Sequence, residues 1–195
     1  MKWFNNLKIK SKMIIGFMLI IVMLVCMALF AINRLGKVAD IYSNIIKYPE
    51  SIKDANLKTQ SAYRDLCRIM NAIIVYTPLG DSAMINDLYQ EAVSAYESAM
   101  TSIQENENLV RRSPLMNEEE KGRRIERIDT LKNYIQRYKD EACDTIMSAA
   151  FAGDYNRCIE VIRNMGAFVD EIKLLTVELY EMASIVEERV SNNAL

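Results

Sequence analysis

About twenty consecutive residues without a charge, Met13 to Ile32 (MIIGFMLIIVMLVCMALFAI), lie close behind a basic N-terminus. A helix rises ~1.5 Å per residue, so this run spans ~30 Å, the thickness of a bilayer's hydrocarbon core. Lys2, Lys8, Lys10 and Lys12 precede it, and Trp3 and Phe4 stand where interfacial anchors belong. Positive charge stays on the cytoplasmic side of a membrane. The pattern therefore predicts a cytoplasmic lead over residues 1–12, a transmembrane helix over 13–32 and an extracytoplasmic domain over 33–195, at the plasma (inner) membrane. Two other readings fit less well. A cleaved signal peptide has a shorter apolar core and a small-residue cleavage site, and Ala28-Leu29-Phe30-Ala31 makes a poor one. Lipidation at Cys26 needs small residues before the cysteine, where this chain has Leu24-Val25.

Residues 33–195 are numerous enough for one domain with a sizeable core. Only 6 Gly and 3 Pro occur in the chain, a shortage of turn residues that favours long helices over sheets. Four lysines and no acid lie before Asn33, so the formal charge of −2 becomes −6 for the remainder. A mildly acidic surface argues against nucleic-acid binding, which needs a basic patch. The chain has no histidine, which removes the commonest general base, metal ligand and pH switch together. No phosphate-cradling glycine motif occurs. These features predict a protein that is not an enzyme, with no catalytic residues, no cofactor and no metal. Outside the apolar run stand Cys67, Cys143 and Cys158, an odd number. A disulfide scaffold is denser and even-numbered, so they read as small buried apolar side chains.

Behind the apolar run, Val38, Ile41, Ile45, Tyr48, Ile52, Ala55, Thr59, Ala62, Leu66, Ile69, Ile73 and Tyr76 alternate spacings of three and four. That 3.5-residue period is the seam of helices packed nearly parallel. It predicts a helix over 33–77, continuous with the apolar run and kinked at Pro49. Thr77-Pro78-Leu79-Gly80 stops it, with Asp81 or Ser82 as the next N-cap. A second helix over 82–108 carries Ile85, Leu88, Ala92, Ala95, Ala99 and Ile103 on one face. Asn117 before Glu118-Glu119-Glu120 opens a third, over 117–151, with Ile125, Ile128, Leu131, Ile135, Tyr138, Ala142, Ile146 and Ala149 as its stripe. Ala152-Gly153-Asp154 turns into a fourth over 154–195, carried by Cys158, Ile162, Met165, Val169, Ile172, Leu175, Leu179, Ala183, Val186 and Val190. The expected fold is all-α: a transmembrane helix continuing into an antiparallel, up-down four-helix bundle. Short middle helices between long outer ones suit a bundle inserted between two spans. A second transmembrane helix and a cytoplasmic output module are thus expected after Leu195, with a chain end at Asn-Asn-Ala-Leu as the alternative.

Three segments carry a family likeness. MKWFNNLKIKSKMIIGF resembles the opening of methyl-accepting chemotaxis proteins. IYSNIIKYPESIKDANLKTQSAYRDLCRIMNAII resembles the first ectodomain helix of their four-helix-bundle sensors, and AFAGDYNRCIEVI the turn into the fourth. The likeness covers nearly the whole chain. It implies a homodimeric receptor that senses small molecules outside the cell, possible ligands being amino or organic acids. The signal would pass through a second span to a cytoplasmic part that holds a histidine kinase and a coupling protein. The same sensor class also resembles those carried by histidine kinases and diguanylate cyclases. From a different functional class, a one-span structural or interaction bundle remains open.

Arg64 and Arg68 lie one turn apart, off the seam, on the first bundle helix. Two guanidinium groups on one side of a helix can clamp a carboxylate by bidentate hydrogen bonds, and the resemblance implies that use at a dimer interface. A solvated face or ion pairs with neighbouring acids is the plainer reading. Tyr63, Tyr89, Tyr96, Tyr138 and Tyr155 at helical spacing read as bundle core with hydroxyls reaching water, against the alternative of an aromatic pocket. Arg111 and Arg112 fall at a turn, suited either to lipid phosphate or to solvent. The three glutamates 118–120 read as complements to a helix dipole, not as a metal site.

Overall fold

A computed structural model describes residues 9–192, with backbone alone for residues 9–12, 41 and 44–46. Lys2, Lys8, the expected anchors Trp3 and Phe4, and the last three residues lie outside the described residues. Every element is helical: α1 (Ile9–Ile45), α2 (Ser51–Tyr76), α3 (Ser82–Arg112), α4 (Glu118–Arg137), α5 (Asp144–Phe151), α6 (Tyr155–Asn164) and α7 (Gly166–Asn192). No strand occurs among the described residues, so the fold is all-α as the composition required. The chain divides into two units at Ser43/Asn44.

The first unit is built from α1. Met13–Asp40 is long and apolar enough to cross a membrane, and none of its most apolar stretch is buried by protein. Phe17, Leu24 and Leu29 are each more than half exposed, and the other large apolar side chains over residues 13–35, Ile15 apart, are exposed by half or more. A surface helix of a soluble domain shows one apolar stripe and one polar face; this one has no polar face. At ~1.5–3 kcal/mol for each large side chain removed from water, α1 forgoes on the order of 30 kcal/mol without an apolar surround.

The second unit, residues 44–193, inverts that arrangement. Ile52, Ala55, Thr59, Ala62, Leu66, Ile69 and Ile73 of the α2 seam are all buried. Thr59 stays in the seam because its hydroxyl donates to the Ala55 carbonyl at 2.9 Å, which satisfies the polar group within the helix. α2 packs most extensively on α3 and also on α7, while α4 packs on α3 and α7. The stripes foreseen on α3, α4 and α7 supply the rest of the core, with Ile85, Ile103, Ile128, Ile135 and Ile172 almost wholly inaccessible.

The turns are built as their residues require. Gly80 and Gly153 take φ of +67° and +71°, the left-handed conformation that costs glycine least. Asp81 caps α3 by accepting from the Met84 N–H at 3.0 Å, and Asp154 caps α6 by accepting from Arg157 N–H at 2.9 Å. Asn117 and Glu120 form a reciprocal capping box: Asn117 Oδ1 accepts from the Glu120 N–H at 2.8 Å, and Glu120 Oε2 from the Asn117 N–H at 3.0 Å.

Five expectations need correction. The predicted helix 33–77 is interrupted: Ile46–Glu50 is π-helical around Pro49. Proline has no N–H for the ladder, and the wider turn absorbs that loss. The second helix runs to Arg112, not 108, the Arg111–Glu107 pair at 2.6 Å supporting its last turn. The third helix is π-helical over Tyr138–Cys143. The fourth is two helices joined at Met165, just before Gly166, a residue that costs a helix about 1 kcal/mol relative to alanine. Tyr155, at the head of α6, is 44% exposed and is not core.

Candidate functional site

The face shared by α2 and α7 holds the polar features that core packing does not explain. Leu57, Gln60, Arg64, Cys67 and Asn71 recur on α2 at spacings of three and four, which places them in one row. Two cavities open along that row. The first, about 330 Å³, lies between Asn56, Leu57 and Gln60 of α2 and Thr176, Tyr180 and Glu181 of α7. The second, about 290 Å³, lies between Cys67 and Asn71 of α2, Tyr138, and Met165, Gly166 and Asp170 at the α6–α7 joint.

In the first cavity the key residue is Asn56, only 2% exposed. Its Oδ1 accepts a hydrogen bond from Asn106 Nδ2 on α3, but its own Nδ2 is buried without a partner. An unsatisfied buried amide group costs about 1–3 kcal/mol, and Asn106 Oδ1 is likewise buried without a partner, so the two amides leave one donor and one acceptor unused. Thr176 is also buried, its hydroxyl donating to the Lys173 carbonyl at 2.8 Å, which leaves its oxygen free to accept. Lys53 Nζ stands 5.6 Å from the centre of the Tyr180 ring and pairs with Glu187. The hydrogen bond to Glu187 raises the lysine above its usual range. One end of the cavity thus offers amide donors, and its exposed rim carries the Glu181 carboxylate.

Beside the second cavity two helices depart from α geometry. The π-helical turn begins at Tyr138, and π-bulges are frequent at functional sites. Tyr138 is buried and packs edge-on against Tyr63, with centroids 5.5 Å apart at 76°. The Tyr63 hydroxyl is buried without a hydrogen-bond partner of ordinary geometry. Burial, with the neighbouring Cys67 thiol, pushes both phenols far above their usual range, and burial pushes Cys67 up as well. Cys143 beside them is pushed up to about 12 by burial. These thiols stay protonated, so the cluster is not nucleophilic. All four cysteines are free, in keeping with the small-apolar reading for the buried Cys143 and Cys158.

Neither Arg64 nor Arg68 lines either of these two cavities. Arg64 is exposed on the row between the two, one turn from Gln60 and one from Cys67. Arg68 is exposed on the adjoining flank, its Nε 3.5 Å from Asp65 Oδ1. Tyr63 and Tyr138 are core. Tyr89 and Tyr96 are half-buried, their hydroxyls donating to Asp144 Oδ1 at 2.9 Å and to Gln136 Oε1. Arg111 is exposed and paired with Glu107, while exposed Arg112 borders an open trough with Lys132 between α3 and α4. No group of metal-ligating residues occurs among the described residues. Asn56, Gln60, Thr176 and Glu181 were not singled out by sequence, although Asn56 sits directly beside a seam residue.

Compared with protein-family models, with curated proteins and with solved structures, the chain matches none.

Proposed function

We propose that this chain is the ligand-sensing, membrane-anchored part of a receptor of the chemotaxis type, acting as a homodimer and not as an enzyme. The observation that carries the reading is the α2–α7 face, where two largely apolar cavities lie between helices, the first beside an unpaired buried amide donor. A ligand bound there touches both. By preferring one placement of α7 against α2 it shifts a two-state packing, to the extent of its differential affinity. Asn56 Nδ2 and the Gln60 amide suit a carboxylate and Glu181 suits an ammonium, which favours an amino acid or a related organic acid.

The membrane arrangement rests on α1. Its unburied apolar surface calls for a bilayer, and the N-terminal lysines favour a cytoplasmic N-terminus with residues 44–193 outside the plasma (inner) membrane. An antiparallel four-helix bundle is the architecture that the packing favours. α2 and α4 each pack on both α3 and α7, and Arg127–Glu178 (3.0 Å) and Arg189–Glu120 pair α4 with α7 in reverse order. Exposed apolar side chains Leu57, Leu174 and Val177 on the α2–α7 side suit a second copy of the chain. Output through a histidine kinase and coupling protein would belong to segments outside residues 1–195.

Titration of the full chain in nanodiscs with amino and organic acids tests the reading. A ligand whose affinity falls at least tenfold in Asn56→Leu, while Arg112→Gln leaves it unchanged, supports it. No binding by any of them, or binding indifferent to Asn56→Leu, removes its support and leaves a one-span interaction bundle.

A further inference from the structure

A charged residue lies where the α4 stripe expects an apolar one. Arg124 precedes Ile128, Leu131 and Ile135 at spacings of four, three and four, and is 2% exposed. Its Nη2 donates to the Met182 carbonyl of α7, and its Nη1 is buried with no partner. The nearby carboxylates are already engaged. Glu120, one turn earlier, accepts from Arg189 Nη2 at 3.2 Å and closes the Asn117 capping box. Glu178 pairs with Arg127 at 3.0 Å, and Glu119 stands 4.0 Å from Arg123. Glu120 acts on Arg124 only through space, and a buried guanidinium without a hydrogen-bonded carboxylate is unfavourable. Burial lowers Arg124 to about 10, so it keeps its proton at neutral pH.

The same side chain lines a cavity of about 270 Å³ between α4 and α7, with Arg123 and Glu120 on one wall and Met182, Ile185 and Val186 on the other. We propose that this cavity binds an oxyanion, a carboxylate or phosphate group, held by the Arg124 guanidinium with Arg123 at the rim and its apolar remainder against Met182 and Ile185. Guanidinium is the group best matched to a planar pair of oxygens. Arg189, paired with Glu120, offsets the charge of that carboxylate, which leaves Arg123 and Arg124 to make the cavity positive. This site is separate from the α2–α7 face and stands or falls independently of the sensing proposal.

The test is thermal unfolding of the full chain in phosphatidylcholine nanodiscs, at constant ionic strength, titrated with inorganic phosphate or succinate in place of chloride. A parallel sample uses phosphatidylglycerol nanodiscs without added anion. Binding only the folded state raises the midpoint, by roughly 5–10 °C at a hundred times the dissociation constant. A rise with phosphate or succinate identifies a free anion, and a rise only with phosphatidylglycerol identifies a headgroup. Arg124→Met abolishes the rise, and Arg123→Gln, an exposed change that leaves the core intact, weakens the apparent affinity several-fold. No rise in any arm overturns the proposal. So does a rise that Arg123→Gln leaves unchanged should Arg124→Met fail to fold, or one that persists in Arg124→Met.

Discussion

Residues 13–32 and residues 52–73 are both helical and both rich in large apolar side chains, yet the first segment buries almost none of them and the second buries its whole seam. The difference lies in what separates the apolar residues. In α2 a polar face intervenes every turn, so the helix presents a stripe and pairs it with α3 and α7. In α1 nothing intervenes, and no protein surface covers it. Apolar content alone makes neither a core nor a span; its distribution around the helix selects the solvent each segment needs.

The largest effect that could break this contrast comes from one substitution made in each segment. Ile73→Ala, at a wholly buried site, is expected to destabilise residues 44–193 by about 2–5 kcal/mol in urea unfolding. Ile21→Ala in α1 is expected to leave that transition where it was. Next comes Leu24→Arg, which places a charge at mid-span and costs insertion about 2.5–3.5 kcal/mol. Fractionation of cells carrying it should show chain lost from the membrane, while the unfolding transition of the helical unit stays put. Equal losses from Ile73→Ala and Ile21→Ala would mean that α1 is core after all.

Smaller effects sharpen the picture within the helical unit. Asn117→Ala removes the capping box of α4 and is expected to cost about 1 kcal/mol, read as a lower urea midpoint at unchanged slope. Glu120 gives a pH test of the same corner. Its hydrogen bond from Arg189, its largest influence, holds its carboxyl below the usual range, with the Asn117 N–H assisting. A carboxyl lowered on folding stabilises above its unfolded pKa and loses that contribution as pH falls through the folded one. Wild-type protein should therefore lose stability below the ordinary carboxylate range, and Glu120→Gln should lose less over that interval. Smallest of all, Arg64→Ala and Arg68→Ala, both exposed, should change stability by no more than about 0.5 kcal/mol.

The core was legible because a seam needs only spacing. Every α2 residue from Ile52 to Ile73 that the heptad pattern selected is buried, and Asp81 and Asn117 advertise their caps by side-chain chemistry. The π-helical turns were not legible in the same way. They shift the backbone hydrogen-bond register while leaving the side-chain stripe intact, so Tyr138 and Ala142, both within the π-helical turn, stay in the core. Gly166 was a visible signal for the joint between α6 and α7, but the continuous stripe from Cys158 to Val190 masked it. The cavities depend on which side chains fail to fill space between helices, and no one-dimensional pattern states that. Arg124 is the exception: a charge on an apolar stripe is readable in sequence, and its burial is what gives it meaning.

The most direct test of the two-solvent contrast is labelling of single cysteines by a membrane-impermeant maleimide in intact cells, with the native cysteines replaced by alanine. Ser82→Cys and Ser148→Cys, at exposed positions of the helical unit, should react from outside the cell, and Val22→Cys should stay protected until the membrane is dissolved. Reaction of Val22→Cys in intact cells, or of Ser82→Cys only after lysis, would contradict the account.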